Sequence, residues 1–333
     1  MKSIRNILLS LLSIIFILTM SACGSSLQTG KTVKSEEDAV LNIAYQYGLA
    51  YAPLVICQEN QLIEKAYKEA TGKDVKVTWN QMSSGADINT GIASGDLNVG
   101  FMGIAPAITG ISNNVGYKIF TNISGQEHGL MTNKSEIKSF DNIIDSSEQI
   151  ALVNIGSIQH IILGLALDSK GYDAHALDSN LVAMKHPDGM TSLESNSIAC
   201  HLTSNPYIYR ERQNSDLHEL DEVKNVWSAD RTFIVGVASE SLFHENPELY
   251  EALCDAVSES IDFINNDFEA TAKITAEYDG NSFEDELMYL QAGKYSSETK
   301  DIFALAQFMY EHSFIEHGFD KYSELVFENV RGD

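Results

Sequence analysis

Apolar residues recur along this chain in two alternating patterns, short continuous runs and longer stretches with every third or fourth position apolar. Leu41 to Tyr45 is a short run that reads as a strand. Pro53 opens a helical pattern in which Leu62, Ala66 and Ala70 recur every fourth residue beside Ile63 and Tyr67, and Gly72 closes it. Val75 to Trp79 alternates as a strand does, and Ser83-Ser84-Gly85 caps a helix running to Ser94. Leu97 to Met102 is the next strand, Ala105 to Ile111 a short helix and Tyr117 to Ile123 a further strand. The alternation restarts at Gln149 to Val153, with a helix from Ile158 to about Lys170. Strands follow at Leu181–Met184 and Ile198–Leu202, each with a short helical segment after it, and Thr232 to Ala238 is one more. From Pro247 the chain reads helical almost to its end, with Ala252, Val257 and Ile261 among its apolar positions. Repeated strand–helix alternation predicts an α/β fold with mostly parallel sheets built from right-handed crossovers.

The N-terminus breaks this pattern. Lys2 and Arg5 precede an apolar run from Ile7 to Met20, interrupted only by Ser10, Ser13 and Thr19. The run falls short of the ~20 residues a membrane crossing needs. A basic start, a short apolar centre and small residues after it predict a secretory signal over residues 1–22. It ends in Met20-Ser21-Ala22-Cys23, which resembles the lipobox of bacterial lipoproteins, with Met20 where that pattern prefers Leu. The resemblance implies lipidation of Cys23 and a lipid anchor on the extracytoplasmic face of a bacterial cell membrane. Gly24 to Asp38 are polar and lack periodicity, so residues 23–40 read as a flexible tether.

Charge narrows the possible partners. With 47 acidic and 22 basic side chains the net charge is −25 at pH 7. That excludes nucleic acid and electrostatic binding to anionic lipid, leaving the lipid anchor as the only membrane contact. Beyond Cys23, only Cys57, Cys200 and Cys254 remain; three cysteines cannot all pair within one chain, so free, buried thiols are expected. The length suits two lobes of roughly 150 residues each.

In open α/β sheets, ligands sit beyond the carboxyl ends of strands, beside helix N-termini whose free N–H groups attract anions and polar groups. This chain places small or hydrogen-bonding residues at those junctions. Gln46-Tyr47-Gly48 follows the first strand, Met82-Ser83-Ser84-Gly85 the second and Gly103-Ile104-Ala105-Pro106 the third. In the later half come Asn154 to His160, then Thr203-Ser204-Asn205-Pro206-Tyr207. Gln46, Tyr47, Ser83, Ser84, Gly85, Gly103, Ile104, Ala105, Ser157, Gln159, Thr203 and Asn205 are therefore the expected ligand-binding residues. Gly103 would let the backbone approach a ligand closely, and Pro106 suits a first helical turn, where no N–H is needed. Gly95 and Gly100 read as turn and packing residues. Tyr47, Tyr51 and Tyr207 could form an aromatic wall, with Tyr45 in the core.

None of the nine histidines shows HxH or HxxxH spacing, and His312 and His317 do not share a helical face. No metal or other cofactor is expected. The chain also lacks a GxSxG elbow, an HExxH helix and a recognisable cysteine nucleophile motif, which points away from an enzyme.

The stretch "GIASGDLNVGFMGIAPAI" resembles the nitrate/sulfonate/taurine-type solute-binding proteins of ABC importers, whose pattern is a helix ending "ALASGEID", a strand "IGFMG" and then "PAI". "YGLAYAPLVICQEN" is similar to their first helix, "IGSIQHIILGLAL" to the opening of their second lobe, and the region from "HENPELYEAL" to "EYDG" to their C-terminal helices. The resemblance covers about residues 41 to 280. Asn98 stands where the pattern has an acid, and "LTSNPY" lacks the acidic residue often found before its proline. It implies a two-lobed periplasmic-binding-protein-like fold of type II, with crossings near Gly125–Leu130 and Ala229–Val235. Lobe one would be 41–124 with 236–333, and lobe two 125–235. It also implies a monomeric receptor that captures a small organic anion, of sulfonate, nitrate or taurine type, and delivers it to an ABC permease and ATPase. A pyrimidine or riboflavin-like vitamin precursor is the alternative ligand, and a pyrimidine-synthase-like enzyme the alternative activity. On this reading His128, in the first crossing, and His160 face the cleft, though a hydrogen-bonded structural role fits either equally. Arg231, beside the second crossing, would hold an anionic head group or sit in an exposed salt bridge.

Overall fold

A computed structural model describes residues 39–224 and 226–333. The expected signal segment, Cys23 and the tether up to residue 38 lie outside the described residues. The described residues begin with β1 (Ala39–Tyr45), which takes in the last two positions of the expected tether, because Ala39 and Val40 pair with Val75 and Lys76. Helices α1 (Ala52–Glu59) and α2 (Leu62–Thr71) follow, then β2 (Val75–Gln81), α3 (Gly85–Ala93), β3 (Val99–Gly103), α4 (Ile104–Ser112) and β4 (Tyr117–Ser124). The next group is β5 (His128–Thr132), β6 (Ile150–Leu152), α5 (Ile158–Ser169), β7 (Leu181–Ala183), α6 (His186–Glu194), β8 (Cys200–Ser204), α7 (Tyr207–Gln213) and β9 (His218–Leu220). The chain then returns through β10 (Ile234–Ser239) and runs in helices α8 (Glu240–Glu245), α9 (Pro247–Asn266), α10 (Phe268–Asp279), α11 (Phe283–Ala292) and α12 (Ile302–Glu311).

The strands form two five-stranded sheets, ordered β2-β1-β3-β10-β4 and β7-β6-β8-β5-β9. Each is mixed rather than mostly parallel. β1 runs parallel to β2 and β3, and β6 parallel to β7 and β8. β10 runs against both β3 and β4, and β5 against both β8 and β9. The reversed strands are the two that the chain enters on passing from one sheet to the other. A helical crossover returns the chain in its original direction; a direct passage does not. β5 was expected only as part of a crossing, and β9 is too short to show a period.

β3 and β10 are buried along their whole length, as strands covered by helices on both faces must be, and their sequences are accordingly near-continuous apolar runs. Gly100 is a packing residue: a Cβ there would lie 2.4 Å from Ile88 Cγ2, so the glycine lets α3 lie against β3. The helix read from Pro53 to Gly72 is two helices, broken where Gln61 takes a left-handed conformation (φ 51°). The helical tail is likewise divided, with Asp267 capping α10 through Ala270 N and Gly280 ending it. Cys57 and Cys200 are buried and Cys254 partly so, and all three are free.

Candidate ligand-binding cleft

A cavity of about 250 Å³ lies where strand ends of both sheets converge. From the first sheet it is lined by Gln46, Tyr47, Ala50 and Tyr51 after β1, Ser83 and Gly85 after β2, and Gly103 and Pro106 at the end of β3. From the second come Val153, Asn154, Ser157, Ile158 and Gln159 after β6, Lys185, His186 and Pro187 after β7, and Ser204, Asn205 and Tyr207 around the end of β8. Phe233 and Ile234, where the second crossing enters β10, complete the lining. Apart from Phe233 and Ile234, at the start of the reversed strand β10, the walls are built at the carboxyl ends of strands, the position at which doubly wound sheets place ligands.

Local sequence explains how these groups are held. Ser157 Oγ accepts from His160 N at 3.3 Å and caps α5, so the serine is fixed at the cavity edge. Prolines occupy the first turns of α4 and α6, where no donor is lost. Gly85 lets the starts of α3 and α4 meet, since a Cβ there would come within 2.6 Å of Pro106 Cγ. The Gln46 amide is held from both ends, accepting from Tyr51 Oη at 3.1 Å and donating to the Ser83 carbonyl at 3.4 Å.

Among the described residues, Lys185 is the one charged side chain in the lining, and none there is a carboxylate. In a chain of net charge −25 this is a marked local reversal. The Lys185 ammonium lies 5.7 Å from the centre of the Tyr47 ring. His186 stacks on Tyr207 with centroids 5.4 Å apart, and its Nε2 lies 3.2 Å from Gln159 Nε2 and 3.4 Å from Ser204 Oγ. Burial, reinforced by the neighbouring His201, holds His186 well below the usual imidazole range, so the ring is neutral at pH 7. The cavity therefore offers one cation, a neutral imidazole, amides and hydroxyls, with an aromatic wall from Tyr47, Tyr51 and Tyr207.

The NMT1-like family model matches residues 34–278, well over half of the chain. The chain belongs to the NMT1-like family. No curated relative matches it at significant similarity. Among solved structures, this NMT1-like chain is similar to the periplasmic aliphatic sulphonate-binding protein SsuA of Escherichia coli, at 16% identity over 89% of this chain and 94% of that one, with a TM-score of 0.67. The alkanesulfonate-binding SsuA of Xanthomonas axonopodis pv. citri, bound to MOPS, shares 15% identity over 89% and 99%, with a TM-score of 0.69. The periplasmic nitrate-binding protein NrtA of Synechocystis PCC 6803 shares 14% over 75% and 69%, at 0.57. These likenesses show the fold, the two-lobed α/β architecture of periplasmic binding proteins.

The structure gathers Gln46, Tyr47, Ser83, Gly85, Gly103, Ser157, Gln159 and Asn205 around the cavity. It places the other expected residues elsewhere. Ser84 is engaged in capping α3, accepting from Asp87 N at 3.2 Å and donating to Asp87 Oδ2 at 2.9 Å. Ile104 and Ala105 are fully buried, and the Ile104 N–H is used by the Phe233 carbonyl. Thr203 is buried within β8. His128 lies behind the lining, stacked at 6.3 Å on Phe233. Arg231 takes the salt-bridge alternative, 2.9 Å from Asp301 and over the Trp227 ring, in a separate surface depression. Tyr45 is core, hydrogen-bonded to Tyr278.

Lys185, His186 and Phe233 were missed. The first two carried a readable signal: "KHPDG" after the Leu181–Met184 run repeats the strand-then-proline junction of Gly103 to Pro106. Spacing also missed the cluster of His160, His175 and Asp178, whose ligand-type atoms lie within 4.8 Å of one another. Hydrogen bonds account for it. His160 Nδ1 accepts from Gly156 N at 3.1 Å, so its proton sits on Nε2, 2.9 Å from Asp178 Oδ1. His175 reaches Asp178 Oδ2 through Nδ1 at 2.8 Å and the His312 carbonyl through Nε2 at 2.6 Å.

Proposed function

We propose that this chain is the extracytoplasmic receptor of an ABC importer and captures a small organic anion between its two lobes for delivery to a permease and ATPase. The observation that carries the reading is the cavity itself: one ammonium, Lys185, and no carboxylate, among amides, hydroxyls and helix starts. The sulfonate- and nitrate-binding proteins that share the fold support the same ligand class. The lobes move as 41–124 with 236–333 against 125–235, because the chain passes directly between the sheets only at 125–127 and 221–233. The protein acts as a monomer, by binding rather than catalysis. Cys23 anchors it by lipid to the cell membrane, a reading supported by the basic, apolar and small-residue order of residues 1–26.

Calorimetry with ethanesulfonate, taurine and nitrate, on wild type and Lys185→Met, tests this. A hydrogen bond to a charged group contributes about 1.5–3 kcal/mol, so the variant should bind its best anion roughly ten- to a hundredfold more weakly, with an unchanged melting temperature. Equal affinity in both proteins, or binding only of an uncharged heterocycle, overturns the anion reading.

A further inference from the structure

From the cavity wall inward, three titratable groups on three different elements, the inner two fully buried, form an unbroken hydrogen-bonded line. His186, at the start of α6, faces the cavity with Nε2 and places Nδ1 3.1 Å from His201 Nε2 on β8. His201 Nδ1 in turn lies 2.5 Å from Glu211 Oε1 on α7. The His201 and Glu211 side chains are fully buried. The fold makes room for this line: a Cβ at Gly189, one turn into α6, would sit 2.6 Å from His201 Nε2. Among the described residues, no cation balances Glu211. Its neighbours on α7 are engaged elsewhere, Arg212 with Glu127 and Glu219 and Arg210 with Asn281, and the other charge acting on it is Glu194 of α6, which repels.

We propose that Glu211, His201 and His186 form a one-proton relay that holds His186 Nε2–H as a hydrogen-bond donor into the ligand cavity, so that this wall accepts a ligand oxygen with a lone pair and disfavours one presenting N–H or O–H. His186 is the ligand-facing group; His201 and Glu211 are positioning residues acting through it. The inference deepens the receptor reading above and rests on it for the identity of the occupant.

The proton arithmetic follows from the line of contacts. With Glu211 protonated, its O–H donates to His201 Nδ1, His201 Nε2–H donates to His186 Nδ1, and the remaining ring proton must sit on His186 Nε2. With Glu211 ionised, each proton moves one place. The carboxyl proton passes to His201 Nδ1, the His201 Nε2 proton to His186 Nδ1, and the His186 Nε2 proton leaves to solvent. His186 then presents a lone pair to the cavity, and the site has lost one proton. The first state is the one burial favours. An isolated buried carboxylate is costly, whereas a neutral acid with two neutral imidazoles satisfies every link. Burial and Glu194 push Glu211 up to about 9, and burial pulls His201 down to about 3. Gln159 lies with its amide nitrogen 3.2 Å from His186 Nε2, so it donates as it stands to the lone pair of the second state and must turn its amide over to bring its oxygen to the Nε2–H of the first.

Two-bond ¹H–¹⁵N correlation spectra of histidine-labelled protein read the ring tautomers directly, without any ligand. The His186 signals are assigned by their loss in His186→Gln or, should that variant not fold, by through-space contact with Tyr207. Both buried rings are expected in the Nε2–H form at pH 7 and should convert together to the Nδ1–H form as the pH is raised through the ionisation of Glu211. Glu211→Gln should abolish that joint alkaline transition. An Nδ1–H tautomer of His186 at pH 7, separate titration of the two rings, or an unchanged transition in Glu211→Gln overturns the relay. Because no ligand is used, failure here leaves the receptor reading intact, and failure of the anion screen leaves the relay standing.

Discussion

The molecule contains two clusters of the same composition, two imidazoles and one carboxyl, and resolves their protonation in opposite ways. In the line from His186 through His201 to Glu211, the carboxyl is sealed from water with no cation beside it, and neutrality wins. In the cluster of His160, His175 and Asp178, the carboxylate is about two-fifths exposed and accepts from both rings. There His175 uses its second nitrogen on the His312 carbonyl, at the C-terminus of α12, where the helix dipole favours positive charge. Burial opposes the charge on His175, but the His312 carbonyl and then Asp178 and Asp173 outweigh it, and the net effect is upward. Water access and the destination of the last hydrogen bond, rather than residue type, decide which cluster is charged. They also differ in what they join. The relay opens on the ligand cavity, whereas the His175 cluster clasps the loop after α5 to the end of α12, which packs on α4 of the first sheet. Phe314 seals the clasp, 4.2 Å from His175 and 5.2 Å from His160.

The largest expected difference between the two is in what truncation costs. His201→Ala would remove a fully buried ring, leave a void and strip both Glu211 and His186 of their partner. An orphaned buried polar group costs about 1–3 kcal/mol, and the cavity adds to it, so about 3 kcal/mol or more of stability should be lost. Urea unfolding at pH 7 measures this. A loss under about 1 kcal/mol would show that the line carries no such weight.

A smaller effect separates the two carboxyls. Glu211→Gln replaces a neutral acid by a neutral amide of the same shape and should cost little at acid pH. The sign with pH is then fixed. A carboxyl raised from 4.5 to about 9 on folding destabilises the native state progressively as pH rises across that window, so Glu211→Gln should gain on wild type from about pH 5 to 9. Asp178→Asn should lose stability where Glu211→Gln gains it. It exchanges an ionised acceptor of two ring protons for a weaker one and should lose about 1 kcal/mol at pH 6, in line with other partly exposed charged hydrogen bonds. Thermal melts of both variants across that range decide it; a loss in Glu211→Gln at pH 8 or no loss in Asp178→Asn at pH 6 would erase the distinction.

Much of the frame was legible in the sequence, and most of the charge chemistry was not. Strand–helix alternation and the small residues after β1, β2, β3, β6 and β8 were readable because period and junction chemistry are local properties. β9 is only three residues long, and β5 is entered by a direct crossing, so neither leaves a periodic trace. Ser84 and Ser157 look alike in sequence, each capping a helix, yet only Ser157 lines the cavity; one residue of offset at a helix start decides that, and only coordinates reveal it. The relay and the clasp hydrogen-bond residues that are up to 137 positions apart, His175 and His312 being the widest such pair. Spacing rules built for single helices cannot see such sets.

The smallest effect is the most diagnostic of the clasp. His175 has its proton affinity raised on folding above the ordinary 6.5, so its contribution is fully present below about pH 6.5 and is lost as pH rises through the folded value. His175→Gln keeps a hydrogen-bonding side chain of comparable reach but cannot carry the charge. The difference in melting temperature between wild type and His175→Gln should therefore be largest near pH 5.5 and shrink steadily toward pH 8. His175 is partly exposed, so the difference amounts to a degree or two rather than a collapse. Salt offers an independent check. Raising ionic strength should shrink the gap at pH 5.5, where the imidazolium faces Asp173 and Asp178, and should lose its effect once the pH has risen past the raised folded value and the ring is neutral. A gap that grows with pH, or one indifferent to salt at pH 5.5, would mean that the His175 cluster is held without charge, as the relay is.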